Sequence, residues 1–432
     1  MATSMAAIVG ACVLLAGCGG PPKARLDEQR QQQSFAAQGY SPVGGSGSGS
    51  LNGTANGPGS EPVSEITQSW RLKNDVFRVT LTLGTAAASG TPRPVVVYLP
   101  GLGESDIAGR KWRQTWASAG YAVVSLQPLE TDAQAWASDL ARAAEFKRLG
   151  QQHYAQPPLR QRLATLDAVL AEAQRRGRSG ELPWSALDWT RTAVAGYELG
   201  AQAAMALAGE SLGDGTRWTA SSVQLKAVVV ISPQVMDARA ADRYAAVLLP
   251  VLGLTGPQDT DVLGLVEQPR WRTLPFESMP KDNAWLLSLP GITHATLAGN
   301  DTAPGAQGRN GRNADGSRDA GSGAGGGGGG DGGSRGRRGG GMGGGMGGGP
   351  GGGMNPGSRM LQPVPDQPDW HRLQEDQLAF IAAQKTSLAF LDWQLKQAPQ
   401  ARDWLMGPAQ VWLGRTGQLT SPLSLSGKLD TR

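Results

Sequence analysis

The chain of 432 residues is long enough for two or three average domains, but its 63 glycines, clustered as they are, are too many for packed structure throughout. A net charge of +4 and a pI near 9.1 exclude a strongly acidic protein and give only a weak attraction to polyanions. Two cysteines, Cys12 and Cys18, exclude a disulfide framework.

Met1 to Gly17 is apolar and rich in small residues, with Ala6 to Ala16 as its hydrophobic run. That run is too short to span a membrane and has the character of a secretory signal. It ends in Leu15-Ala16-Gly17-Cys18, which resembles the bacterial lipoprotein box, where the cysteine is lipidated and becomes the new N-terminus. No Lys or Arg precedes the run, so the usual basic segment is missing. The resemblance implies a removed signal peptide over 1–17, a membrane contact through lipid on Cys18, and export to the cell envelope at the periplasmic face of the outer membrane. Cys12 would be lost with the signal, and the mature chain would depend on its core for stability.

Residues 18–60 are polar and low in complexity, with glutamines around Gln31 and a Gly-Ser run from Gly44 to Ser50. They are expected to form a flexible tether with an end-to-end distance of roughly 35 Å.

A folded domain is expected from Glu61. Val76 to Leu83 alternates as a strand, and Val95 to Leu99 is a continuous apolar run suited to a strand buried on both faces. Further apolar strands follow at Tyr121 to Leu126, Thr192 to Ala195, Ala227 to Ile231, Val251 to Thr255 and Trp285 to Leu289. Leu159, Leu163, Leu166 and Leu170 fall at helical spacing, as do Leu378, Ile381, Leu388, Leu391 and Leu395. Strands separated by helical patterns give an α/β fold with a mostly parallel sheet and helices on both faces.

Residues 302–358 are mostly glycine and are read as a disordered insertion within one domain, whose first part is 61–301 and whose C-terminal helix and tail are 359–432. Loop-closure entropy grows so slowly that an insertion of this size costs only about 2 kcal/mol. Arg335-Gly336-Arg337-Arg338-Gly339-Gly340 invites comparison with RNA-binding segments, but no aromatic residue interleaves the glycines, and the reading is a solvated loop without nucleic acid.

The stretch Thr192-Ala193-Val194-Ala195-Gly196-Tyr197-Glu198-Leu199-Gly200-Ala201 reads as a buried strand, a sharp turn and a closely packed helix. It has the form of a nucleophile elbow, Gly-x-Nuc-x-Gly, with Glu198 where serine is the usual occupant. Three other loops follow strands: Pro100-Gly101-Leu102-Gly103, Thr255-Gly256-Pro257-Gln258-Asp259-Thr260-Asp261, and Pro290-Gly291-Ile292-Thr293-His294. Active sites of open α/β sheets form beyond the carboxyl ends of the strands, where these loops belong.

With those pieces in view, the chain from about Val76 to Asn300 and again from Trp370 to Trp404 resembles the α/β-hydrolase superfamily. More narrowly it is similar to dienelactone-hydrolase and platelet-activating-factor-acetylhydrolase-like esterases. The resemblance implies that Asp259 orients His294, that His294 is the general base, and that the amides of Leu102 and Leu199 form an oxyanion hole. No cofactor and no metal are called for, and a small ester-like or acyl ligand is the expected partner besides the membrane.

Several alternatives stay open. Asp261 could replace Asp259, and Glu198 could be a buried structural carboxylate or an active carboxylate nucleophile. Ser125 and Ser232 lie near strand ends, although neither is in an elbow. Glu198 is expected to accept from Leu102 and Leu199 or to pair with His294, leaving serine-type chemistry absent. His153 and His371 read as surface histidines, Asp237 as a surface charge, and Asp132 to Tyr154 as a helical lid.

Overall fold

The computed structural model describes residues 23–42, 62–72, 75–85, 91–219, 222–235, 241–301 and 370–422. The signal segment, Cys18, Asp237 and the glycine-rich insertion lie outside the described residues. A nine-stranded sheet is formed by β1 (Val63–Leu72), β2 (Asp75–Gly84), β3 (Arg93–Leu99), β4 (Ala122–Ser125), β5 (Leu187–Tyr197), β6 (Leu225–Ile231), β7 (Val251–Thr255), β8 (Ala284–Ser288) and β9 (Gln418–Thr420). Their spatial order is β1-β2-β4-β3-β5-β6-β7-β8-β9. The run β4-β3-β5-β6-β7-β8 is parallel, while β1, β2 and β9 add antiparallel edges. The fold is thus of the α/β kind.

The helices of the first half are α1 (Lys23–Gln38), α2 (Arg110–Ser118), α3 (Glu130–Ala133), α4 (Asp139–Arg142), α5 (Phe146–His153), α6 (Gln156–Arg178) and α7 (Leu199–Ala208). Those of the second are α8 (Ala241–Tyr244), α9 (Leu274–Ser278), α10 (His294–Leu297), α11 (Trp370–Lys396), α12 (Pro399–Met406) and α13 (Pro408–Leu413). Among the described residues no helix is long and apolar enough to cross a membrane.

Alternation along the strands builds two cores, because successive side chains leave opposite faces of a sheet. Val96 and Tyr98 of β3 pack with Trp112 and Trp116 of α2 and with α11. Val95, Val97 and Leu99 pack instead with Leu159, Leu163 and Leu166 of α6 and with the alanines of α7. Strands buried on both faces therefore read as unbroken apolar runs.

Helix α1 corrects the expectation of a tether throughout 18–60. Its residues contribute little apolar surface, but what they have is well used: Ala36 and Gln32 are buried, and so is Tyr40 just beyond the helix. Phe35 stacks on Trp412 at 4.4 Å, and the Trp412 indole donates to Phe35 O at 2.9 Å. Tyr40 Oη donates to Asp392 at 2.7 Å, and Lys385 Nζ donates to Tyr40 O at 2.8 Å. With the sheet on one side and α1 and α12 on others, α11 is buried almost all round from Ala379 to Leu391. That explains why its sequence departs from a single apolar stripe.

Candidate functional site

β5 runs straight into the turn at Glu198, and α7 starts at the next residue. Glu198 has φ 51° and ψ −105°, a strained conformation for a side chain with a Cβ, of the kind that persists where the surrounding structure over-determines it. The flanking glycines make room. A Cβ on Gly196 would lie 2.2 Å from the carbonyl oxygen of Gly200, and one on Gly200 would lie 2.0 Å from that of Leu99. The Glu198 amide donates to Ile231 O at 2.9 Å, tying the turn to β6.

The carboxylate of Glu198 reaches forward from this turn. Its Oε2 accepts from the Leu102 amide at 3.0 Å, so the carboxylate takes one of the two expected oxyanion donors. The other oxygen, Oε1, has no hydrogen-bond partner. The Leu199 amide therefore does not reach Oε1, and the expected double engagement is half realised. No hydrogen bond joins Glu198 to His294, although the two are close enough to influence each other electrostatically. Burial raises the Glu198 pKa, the His294 charge and the Leu102 amide oppose that, and the Asp261 charge adds to it.

Asp259 and His294 come together from the loops after β7 and β8. His294 Nδ1 lies 2.8 Å from Asp259 Oδ1. An ionised carboxylate only accepts, so Nδ1 carries the hydrogen and, in the neutral ring, Nε2 is the acceptor. Thr255 Oγ1 donates to Asp259 Oδ2 at 2.7 Å. Arg272 stands 3.4 Å from the same oxygen, both side chains fully buried. Burial alone would raise the Asp259 pKa, but the bond from His294 and the Arg272 charge overcome it and hold the group below its ordinary value. Asp261 does different work. It accepts the backbone amides of Leu263, Leu265 and Val266 and so shapes its own loop.

His294 is also held through its backbone. Tyr197 Oη donates to His294 O at 3.0 Å, with the two rings 5.3 Å apart. Asp376 of α11 accepts from the Thr293 amide at 2.9 Å and from the Thr296 hydroxyl, pinning the turn that begins α10.

Three participants escaped sequence reasoning. Ser232, considered only as a stray nucleophile, has φ 52°, donates to Asp259 Oδ1 at 2.7 Å and lies 2.9 Å from His294 Nδ1. It sits on the acid side of the imidazole and serves to position the Asp259–His294 pair. Ser125, the other stray serine, is buried at the end of β4, and its hydroxyl has no partner. Glu104 is the second. Its carboxylate accepts from the Gly101 amide at 2.9 Å and from Asn300 Nδ2 at 2.7 Å. Part of its surface stays at the rim of the site while protein packs round the carboxyl. Burial pushes its pKa up to about 7 against those two bonds, and the neighbouring Glu198 charge helps. Consecutive amides, Gly101 and Leu102, thus hold two different carboxylates.

Tyr154 is the third. It belongs to the segment expected as a lid, which is folded as the short helices α3, α4 and α5 over the Leu102 loop. Gly103 N donates to Asp132 O at 2.8 Å, and the Trp136 indole donates to Leu102 O at 3.0 Å. Leu102, Leu149, Tyr154, Leu199, Leu263 and Leu265 form one apolar cluster there. The cover leaves Glu198 4% and His294 8% exposed. His153 corrects its reading as a surface residue. It is buried, with Nδ1 2.7 Å from Asp132, whose other oxygen accepts from Arg162 Nε at 2.8 Å. Asp132 compensates the burial of the ring, Arg162 holds Asp132 and also donates to the His153 carbonyl, and neither contact is visible in local sequence. His371 lies on α11, and its side chain is outside the described residues.

Among the described residues no group of His, Cys, Asp and Glu could hold a metal ion. No protein-family model matches the chain, and no curated protein matches it significantly.

Proposed function

We propose that the protein is an exported lipoprotein of α/β-hydrolase type, anchored in the cell envelope through Cys18, in which serine acyl transfer is absent and the old active site serves as a ligand-binding site. One observation supports this above all: the hydrogen bond from the Leu102 amide goes to the protein's own carboxylate, Glu198 Oε2, at 3.0 Å. An oxyanion hole works by offering preorganised donors to charge that develops in the transition state. A donor already engaged with a resident anion is not available, and Glu198 adds repulsion where an oxyanion would form. A carboxylate attacking an ester carbonyl would also give an anhydride, a poorer intermediate than the ester formed by serine.

The test is intact-mass analysis after exposure to diisopropyl fluorophosphate. The expected result is no phosphoryl adduct on the folded wild type. An adduct lost on Glu198→Gln or His294→Ala would overturn the reading.

A second reading draws on the unpartnered Oε1 and the retained elbow backbone. In it Glu198 displaces a group from a saturated carbon, and His294 activates the water that cleaves the resulting ester. Turnover in heavy-oxygen water would then label the Glu198 side chain, and absence of label removes this reading.

A further inference from the structure

Two buried polar atoms in the covered site lack partners, and they are complementary. One is Glu198 Oε1, an acceptor. The other is Tyr154 Oη, a donor on a side chain 1% exposed. An unsatisfied buried polar group costs on the order of 1–3 kcal/mol, so two with the same neighbouring residues call for an explanation. Both groups stand against the same residues. Tyr154 packs with Leu102 and Leu199. Glu198 bonds the amide of Leu102 and directly precedes Leu199. The Glu198 charge also acts on the Tyr154 phenol, after burial the largest influence raising its pKa, so the two are electrostatic neighbours without bonding each other. The Tyr154 backbone is tied to α7, the helix that begins just after Glu198, because its carbonyl accepts from Gln202 Nε2 at 2.9 Å.

The geometry points to a binding site for the hydroxyl group of a small alcohol, which donates to Glu198 Oε1 and accepts from Tyr154 Oη. A hydroxyl supplies donor and acceptor on one atom. An ammonium ion could serve Glu198 but would leave the tyrosine hydrogen unmatched. A carboxylate would meet the charge of Glu198, with Glu104 held on the adjacent amide. The assignment rests on the reading that Glu198 is not an acyl acceptor, and it specifies what the site takes instead.

The experiment uses the full-length protein and saturation-transfer NMR with 1-propanol, methyl propyl ether and methylammonium chloride. Transfer is expected to 1-propanol and to neither of the others. Tyr154→Phe keeps the ring and removes the donor, and Glu198→Gln removes the anionic acceptor. Each is expected to weaken 1-propanol binding by about tenfold. Equal transfer to the alcohol and the ether overturns the assignment. So does undiminished binding by Tyr154→Phe, or a crystal soaked in 1-propanol with only a water between the two groups. If a variant fails to fold, the alcohol-against-ether comparison on the wild type still decides. Ester turnover by the wild type would defeat the underlying reading and leave the alcohol measurement to be judged separately.

Discussion

Glu198 Oε2 lies 3.0 Å from the amide nitrogen of Leu102, so on the proposed reading the acidic side chain after β5 fills the place a substrate oxygen would need. His294 Nδ1 is 2.8 Å from Asp259 Oδ1 and Ser232 braces both, the arrangement that the proposed reading requires of an acid and a base. Replacing only the obstruction should therefore restore some chemistry. Glu198→Ser is expected to hydrolyse p-nitrophenyl acetate on the order of a hundredfold above background, and His294→Ala in that variant to remove the gain.

Glu104 sets a pH dependence. Its pKa is raised from an ordinary 4.5 to about 7, so between those values the unfolded chain loses a proton that the folded protein keeps. Fewer protons on the unfolded state mean that stability falls as pH rises through this window and is level above it. The full effect is about 3 kcal/mol at most, less whatever solvent screening reaches the rim. Glu210 contributes in the same direction, also raised to about 7 by burial. Urea midpoints from pH 4 to 8 should therefore decline less steeply in Glu104→Gln than in the wild type.

Gly200 tests the elbow backbone. A Cβ there would come within 2.0 Å of Leu99 O and 2.8 Å of Pro100 O, main-chain atoms that cannot turn aside as a flexible side chain could. Gly200→Ala is expected to cost more than about 4 kcal/mol or to prevent folding. Gly180→Ala is the comparison: its φ is +79° but nothing lies within 4 Å of an added Cβ. Strain without a clash should cost only about 1 kcal/mol in thermal or urea melts.

Helix α1 is held chiefly by a few contacts beyond its own sequence. Phe35→Ala removes the stack on Trp412 and is expected to cost about 2 kcal/mol. Hydrogen exchange should show the loss of protection confined to 23–38 and the α11–α13 surface, with the Leu102 loop unchanged. Uniform loss across the molecule would contradict a locally docked helix.

The parallel strands were legible because burial on both faces forces unbroken apolar runs such as Val95 to Leu99. β1 was not, because most of its side chains face solvent and its sequence, Val-Ser-Glu-Ile-Thr-Gln-Ser-Trp-Arg-Leu, carries no apolar run. α1 was hidden for a related reason: Phe35, Ala36 and Tyr40 supply its grip, and averaging them with the surrounding glutamines yields a disordered composition. At the site, the order of loops bearing Leu102, Glu198, Asp259 and His294 could be read from glycines and strand ends. Glu104 and Tyr154 could not, since nothing local shows that Asn300 and Glu198 approach Glu104 from far along the chain, or that the covering segment buries Tyr154 beside Leu102 and Leu199. His153 shows the same limit, because its burial depends on Asp132 and Arg162 converging on it.

The most direct measurement is the steady-state hydrolysis of p-nitrophenyl acetate by purified wild-type protein beside its His294→Ala variant. With Glu198 seated on the Leu102 amide, the two should be indistinguishable from each other and from buffer. Saturable wild-type turnover that disappears in His294→Ala would contradict the account.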